Sequence, residues 1–352
     1  MNNWLHLLRG EFLAKLLAIM ILATSSACGQ ANHPDAGGAQ LAMGDFTISG
    51  PYTHKNLTIF LVHGKDRAPG KKFLTLQEAL DKKIVVVNET GEVNELSIEN
   101  RSATKDVFIQ AGAIVRGGQQ DRVLSHDLIL PPKSGKVSIK AFCVEQGRWS
   151  KREGEAVNRF ESSNNMLSGK DLKLAARKSK VQSEVWANVE KTQTKLRDKL
   201  GVEVRADASP TSLELAYSND AVKRSSDDYI KALSGIIKGK SDVIGYAFAI
   251  NGTINSADVY ATSDLFQKLW PKLLASSATE AVAEHEEGAT SATPSADVVR
   301  DCFSDAEGGR GEQEDLNSRV RVVTQETEKN ILFETRDRKE SDMWIHRNYM
   351  KK

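Results

Sequence analysis

Charge of one sign never accumulates in this chain: across 352 residues, 48 Lys and Arg stand against 47 Asp and Glu, a formal net charge of +1. So weak a field gives no ground for nucleic acid or an anionic membrane surface as a partner. Cysteine is scarce, with three residues in all, and the seven histidines are scattered. No CxxC pair occurs and no two histidines fall at i and i+4, so the usual zinc spacings are missing and neither a metal nor another cofactor is expected. No apolar run reaches the roughly 20 residues that a membrane-crossing helix needs. No segment repeats. What remains is ordinary globular composition, 40% hydrophobic and 27% charged, long enough for one large domain or two packed ones.

Two near-motifs fail on their surroundings. The stretch "IFLVHGKD" around His63 resembles the strand and His-Gly loop that supplies an oxyanion hole in α/β-hydrolases. No G-x-S-x-G elbow follows it, so that fold's serine has no seat and His63 reads as a turn residue. The run Gly235 to Ser241, "GIIKGKS", is one residue short of a phosphate-binding loop. A helix precedes it and a strand follows, the reverse of what would aim N–H groups at phosphate, so Gly239 reads as a helix terminator.

Arg9 and Lys15 precede the apolar run Leu16 to Ala23, which is followed by small residues and Cys28. This is the pattern of an export signal over 1–28. Ser26-Ala27-Cys28 also resembles the end of a bacterial lipoprotein box, making Cys28 a candidate for lipidation, although Ser25-Ser26-Ala27 equally suits ordinary cleavage. The expected location is the periplasm or cell envelope, with membrane contact only through such an anchor. Cys143 and Cys302 read as buried thiols, with pairing in an oxidising compartment left open.

An α+β fold is expected, with an N-terminal β-sandwich-like unit packed against a helical segment and a further hairpin and meander. A flexible tether is expected over 29–46, then a main domain over 47–275. Within it, 47–149 carries short β-like runs with one helix near Leu74 to Lys82, and 150–275 is helical with a hairpin. A long amphipathic helix is expected from Asp171 to Leu200, and another behind a Ser225/Asp228 capping box. Asn251-Gly252 predicts a tight primed turn. Thr262 is placed to cap a helix that Pro271 should kink or restart. The Ala-, Ser-, Thr-, Glu- and Gly-rich stretch 276–317 reads as a mobile low-complexity linker with a short helix near Val298 to Phe303, and 318–352 as a terminal meander docking on the main domain.

The most distinctive polar run is Gly117-Gly118-Gln119-Gln120-Asp121-Arg122 between two strand-like stretches. Paired glycines turn the chain where a β-carbon would clash, and are expected to aim the next four side chains outward. Arg122 is suited to grip a carboxylate or phosphate, and Glu145, Arg148 and Trp149 are placed to join it; the alternative is that Asp121 and Arg122 tie their own loop to Glu145, Arg148 or a neighbouring strand. The segment ending in "CVEQGRW", together with "QSEVW", "INSADVYA", "LFQKLWPKLL" and "WIHRNY", resembles the ARG and Rhodanese-Phosphatase-superfamily-associated protein domain, a bacterial family of unknown function. The resemblance covers most of 47–349 and implies no reaction. Three functional readings stand: a binding or interaction domain for a small anion or a protein partner; an enzyme using Asp121, Arg122, His126 and Glu145; and a structural envelope protein.

Overall fold

The computed structural model describes residues 41–43, 46–148, 160–286 and 292–352. The expected signal, Cys28, most of the tether and Trp149 lie outside the described residues. Strands β1 (Leu41–Met43), β2 (Phe46–His54), β3 (Leu57–His63) and β4 (Leu74–Thr75) lead into helix α1 (Leu76–Asp81). Strands β5 (Val85–Glu89), β6 (Glu95–Asn100), β7 (Val107–Ile109), β8 (Ala113–Gly117), β9 (Arg122–Leu124), β10 (Leu128–Leu130), β11 (Lys136–Cys143) and β12 (Phe160–Leu167) follow. Then come helices α2 (Lys170–Leu174), α3 (Gln182–Leu200), α4 (Leu213–Tyr217) and α5 (Asp220–Leu233), and the hairpin of β13 (Val243–Ile250) and β14 (Thr253–Tyr260). Helices α6 (Ser263–Ala283) and α7 (Ala296–Glu307) precede strands β15 (Arg310–Asp315), β16 (Val320–Glu326), β17 (Asn330–Asp337) and β18 (Met343–Lys351).

The fold is α+β, but its sheets do not follow the expected division of the chain. A nine-stranded sheet in the order β1-β2-β3-β13-β14-β18-β17-β16-β15 draws on the start, middle and end of the sequence. A six-stranded sheet, β12-β8-β9-β11-β6-β5, and a three-stranded one, β10-β7-β4, take the remaining strands. The β-rich stretch 47–149 thus shares its strands among the sheets, with β2 and β3 joining strands from the middle and end of the chain. The reason lies in β3, where every residue is buried: such a strand needs neighbours on both edges and cover on both faces, and β2 and β13 supply the edges. Gly38–Lys352 is one compact unit.

The linker expected over 276–317 is also corrected. Ser276 to Ala283 is the second half of α6, and most of it is buried. Small side chains there let the helix approach closely, and their hydroxyls are bonded: Ser276 Oγ donates to the Leu167 carbonyl at 2.9 Å, Ser277 meets the Tyr246 hydroxyl at 3.0 Å, and Thr279 meets Ser226 at 3.0 Å. Helix α7 buries Val299, Cys302, Phe303 and Ala306, with Phe303 stacked on Tyr349 at 4.0 Å. Strand β15, RGEQED, is exposed throughout at the sheet edge, where charge discourages pairing with other chains. Cys143 and Cys302 are free, buried thiols.

Local signals held where one residue fixed the backbone. Asn251 and Gly252 both take positive φ in the hairpin turn, and Thr262 caps α6; the helix expected near Leu74 to Lys82 is α1, which the structure shows opening on a Thr75/Glu78 capping box. Three did not. Helix α5 starts at Asp220 behind Asn219, so the Ser225/Asp228 box lies inside it, with Ser226 buried and Asp228 paired with Lys55 and His54. Helix α6 runs on through Pro271, so no new segment starts there. The long helix expected over 171–200 is broken: after α2 the chain makes a π turn over Ala175–Ser179, closed by Lys180 N–H to the Ala175 carbonyl at 2.9 Å, and Lys180 takes φ of +55° before α3 begins.

Candidate functional site

The glycine loop turns inward. Gln120 is 4% exposed, and Asp121, Arg122 and Glu145 are 0% exposed, so the expectation that these side chains aim outward is corrected. Asp121 accepts from the Gly117 N–H at 3.0 Å and from the Ser212 hydroxyl at 3.3 Å. Arg148 sits 2.7 Å from Glu145 and 3.7 Å from Asp121, and Ser209 donates to Glu145. Arg122 donates to the Gln120 carbonyl at 2.8 Å and lies 3.5 Å from Glu89, whose other oxygen takes the Gln119 N–H at 3.0 Å. Gly118 has φ of +57°, and a β-carbon there would stand 2.5 Å from Phe160 Cζ. Buried charges that satisfy one another in this way fix a loop and its neighbours. They pin β8, β9 and the Glu145 turn to the Ser209–Ser212 segment.

His126 does not join Asp121, Arg122 and Glu145. It lies beyond the other end of β9, partly buried, and faces a separate cavity of about 430 Å³. The Ser125–His126 loop, Ser138 and Lys140 of β11, and Glu95 line one side of it, and β15 to β17 line the other with Val322, Ile331 and Phe333. The π turn contributes Arg177, Lys178 and Lys180. Lys178 is paired with Glu326, and Lys180 with Glu314 at 3.4 Å.

Arg177 differs from its neighbours. It is 6% exposed, its guanidinium lies 4.1 Å from the centre of the Phe333 ring, and Nη1 donates to Asn348 Oδ1 at 3.5 Å. Nη2 has no hydrogen-bond partner among the described residues. Burial pulls its pKa below the usual arginine value while Asp127 and Asp258 push it back up; arginine stays charged under either influence. Beside it, burial and then the Arg177 charge lower the His126 pKa to about 4, so this imidazole is neutral at pH 7. Ser125 Oγ lies 2.9 Å from His126 Nδ1.

Behind Arg177 is a buried ionic core. His346 Nδ1 lies 2.8 Å from Asp127 and Nε2 lies 3.0 Å from Asp258. All three are almost fully buried. Asp127 also accepts from the Thr335 hydroxyl at 2.6 Å and the Ala111 N–H at 2.7 Å. Asp258 accepts from Asn348 at 3.0 Å and Gln110 at 3.3 Å. Tyr260 stacks on the imidazole at 4.6 Å. Burial works against charge at each group, but the mutual attraction wins: both carboxyls titrate below their ordinary range and His346 above its own. Strand alternation builds this arrangement, because His346 and Asn348 leave β18 on the face opposite Arg347 and Tyr349, which meet Glu307 of α7.

The profile of the ARG and Rhodanese-Phosphatase-superfamily-associated Protein domain matches residues 45–350. The chain belongs to this family. The matched span contains both the glycine loop and the Arg177 cavity, and the family's description assigns neither of them a chemistry. No curated protein and no solved structure matches the chain. Sequence reasoning missed Arg177, Asp127, Asp258 and His346. Asp258 stands on β14 and His346 on β18, while Asp127 stands in the loop directly before β10; a charged residue set among apolar core positions is the signal that would have found them.

Proposed function

We propose that this member of the family is an exported binding domain, and that its site is the Arg177 cavity, taking a small ligand that joins an anionic group to a flat apolar body. One observation carries the reading: a buried guanidinium held over Phe333 by the π turn, on a residue that lines a cavity of about 430 Å³, with an Nη2 that has no hydrogen-bond partner among the described residues and that a small shift of the side chain would bring to a ligand. A π turn inside a helical segment is a frequent mark of a functional position. Burying a charged donor with part of its bonding capacity unused is costly unless something fills that capacity, and a bound carboxylate or phosphate would do so with a charge-assisted hydrogen bond. Val322, Ile331 and Phe333 offer apolar contact and Ser125, Ser138 and Lys140 offer donors; the lining also carries Glu95, Glu312, Glu314, Asp315 and Glu326, of which Glu314 and Glu326 are paired with Lys180 and Lys178. The volume lies within the range of small-molecule pockets.

The reading favours binding over catalysis because the four residues of the enzyme alternative are split between two places. The test is calorimetric titration with phenyl phosphate, benzoate and inorganic phosphate. Phenyl phosphate should bind at least about tenfold more tightly than inorganic phosphate, since burying a ring contributes more than 1.4 kcal/mol, and Arg177→Gln should abolish both. Equal affinity of Arg177→Gln and the unaltered protein would overturn the assignment. The exported part of the reading rests on Leu16 to Ala23 and Cys28, and intact mass of the native protein should show its mature start at or just after Cys28.

A further inference from the structure

At a different part of the nine-stranded sheet, the side chains of Ser49 on β2, His63 on β3 and Asp242 in the turn before β13 lie each within contact distance of the next. Ser49 on β2 places Oγ 2.6 Å from His63 Nε2, and His63 Nδ1 lies 3.1 Å from the carboxylate of Asp242. The sheet register brings them together. His63 is directly opposite Thr47 on β2 and Val243 on β13, so Ser49 stands two residues diagonally across on one side and Asp242 adjoins the partner on the other. The Gly64 N–H to the Asp242 carbonyl at 2.9 Å fixes the backbone there. A cavity of about 590 Å³, lined by Thr47, His63, Lys65, Arg67 and Asp242, opens at this end of the sheet.

We propose that Ser49, His63 and Asp242 constitute a nucleophilic site for small carboxylic esters, separate from the Arg177 cavity and independent of the binding reading. The distances match the relation such a site requires: a nucleophile within hydrogen-bond reach of a base, and that base held by a third group. With the proton on Nδ1, whose nearest carboxylate is Asp242 at 3.1 Å, Nε2 is the acceptor for the serine proton. Oγ then bonds to the ester carbonyl carbon, His63 takes the proton from Oγ and passes it to the departing alkoxide, and the acyl group stays on Ser49 as an ester. Water, deprotonated by His63, attacks that ester, releases the carboxylic acid and returns the proton to Ser49. Asp242 is 59% exposed at its side chain, and its oxygen lies 3.1 Å from Nδ1 without hydrogen-bond angles. The imidazole is therefore held less firmly than by a buried carboxylate, and slow turnover follows. The strand "IFLVHG" thus needs no G-x-S-x-G elbow, because its serine comes from the neighbouring strand.

The test is intact-mass and peptide mass spectrometry of the full chain after brief exposure to p-nitrophenyl acetate, and separately to a fluorophosphonate. The expected result is one acetyl or one phosphonyl group on Ser49, lost in Ser49→Ala and slowed about hundredfold or more in His63→Phe. Asp242→Asn should slow labelling less, since its carboxylate only orients the base. Thermal melting of Ser49→Ala, which removes a single oxygen, shows whether the variant folds. A folded Ser49→Ala that labels like the unaltered protein, labelling confined to lysines, or no labelling of the unaltered protein would each overturn the proposal.

Discussion

Replacing His346 with glutamine perturbs the ionic core at its centre. In the folded protein the imidazolium lies 2.8 Å from one buried carboxylate and 3.0 Å from another. Lys173 and Arg177 add positive charge nearby. Glutamine keeps one donor group and removes the charge, leaving Asp127 and Asp258 facing each other across a buried space. Breaking a buried ion pair by deleting one partner costs about 3–5 kcal/mol, and that is the expected loss in urea denaturation near pH 6. The pH dependence gives a second handle. Because the folded pKa of His346 is raised above its ordinary value of 6.5, its contribution is complete below pH 6.5 and is lost as pH rises through the folded value. Both carboxyls have lowered folded values, so their contribution is present above their ordinary value of 3.8 and is lost as pH falls through the folded ones. The gap between the unaltered protein and His346→Gln should therefore be widest near pH 5–6 and narrow in alkali, and Asp258→Asn should partly rescue the variant. A loss below about 1 kcal/mol, or a gap that does not vary with pH, would refute the reasoning.

The glycine loop should behave as structure: Arg122→Ala strands Glu89 and should cost about 3–5 kcal/mol. Gly118→Ala should cost about 1–3 kcal/mol from its left-handed backbone alone, with more from the contact at Phe160; guanidinium denaturation midpoints check both. Limited proteolysis followed by mass spectrometry should spare Ser276 to Ala283, since that stretch is buried helix, and early cutting there would contradict its packing. Binding of phenyl phosphate should raise the His126 pKa from about 4, because an anion beside it offsets the Arg177 charge, and NMR titration of the imidazole carbons measures this.

Where a single residue dictates backbone geometry, the sequence was readable. Asn251 with Gly252, and Thr262, each marked a boundary that the structure places there. Ser276 to Ala283 misled because small and hydroxylated residues have the composition of a linker, yet also suit a helix packed closely enough for its hydroxyls to bond across the interface. Long-range pairing was not legible at all: nothing local to β3 names β13 as its neighbour. The candidate site was half legible. Gly117 to Arg122 with Glu145 and Arg148 do form one cluster, but only the fold shows that its charges are spent on one another. Arg177 was hidden because the helical pattern of 171–200 gave no sign of the π turn that rotates it into the core.

The claim that Arg177 is the ligand-holding group is tested most directly by the NMR signal of its own side chain. In protein labelled with ¹⁵N arginine, the Nε–H resonance of Arg177, assigned by its loss in Arg177→Lys, should shift in a saturable, single-site manner as phenyl phosphate is added. Other buried arginines such as Arg122 and Arg319 should not move. An Arg177 resonance that stays fixed while phenyl phosphate binds, or one that shifts only in parallel with the exposed arginines, would contradict the account.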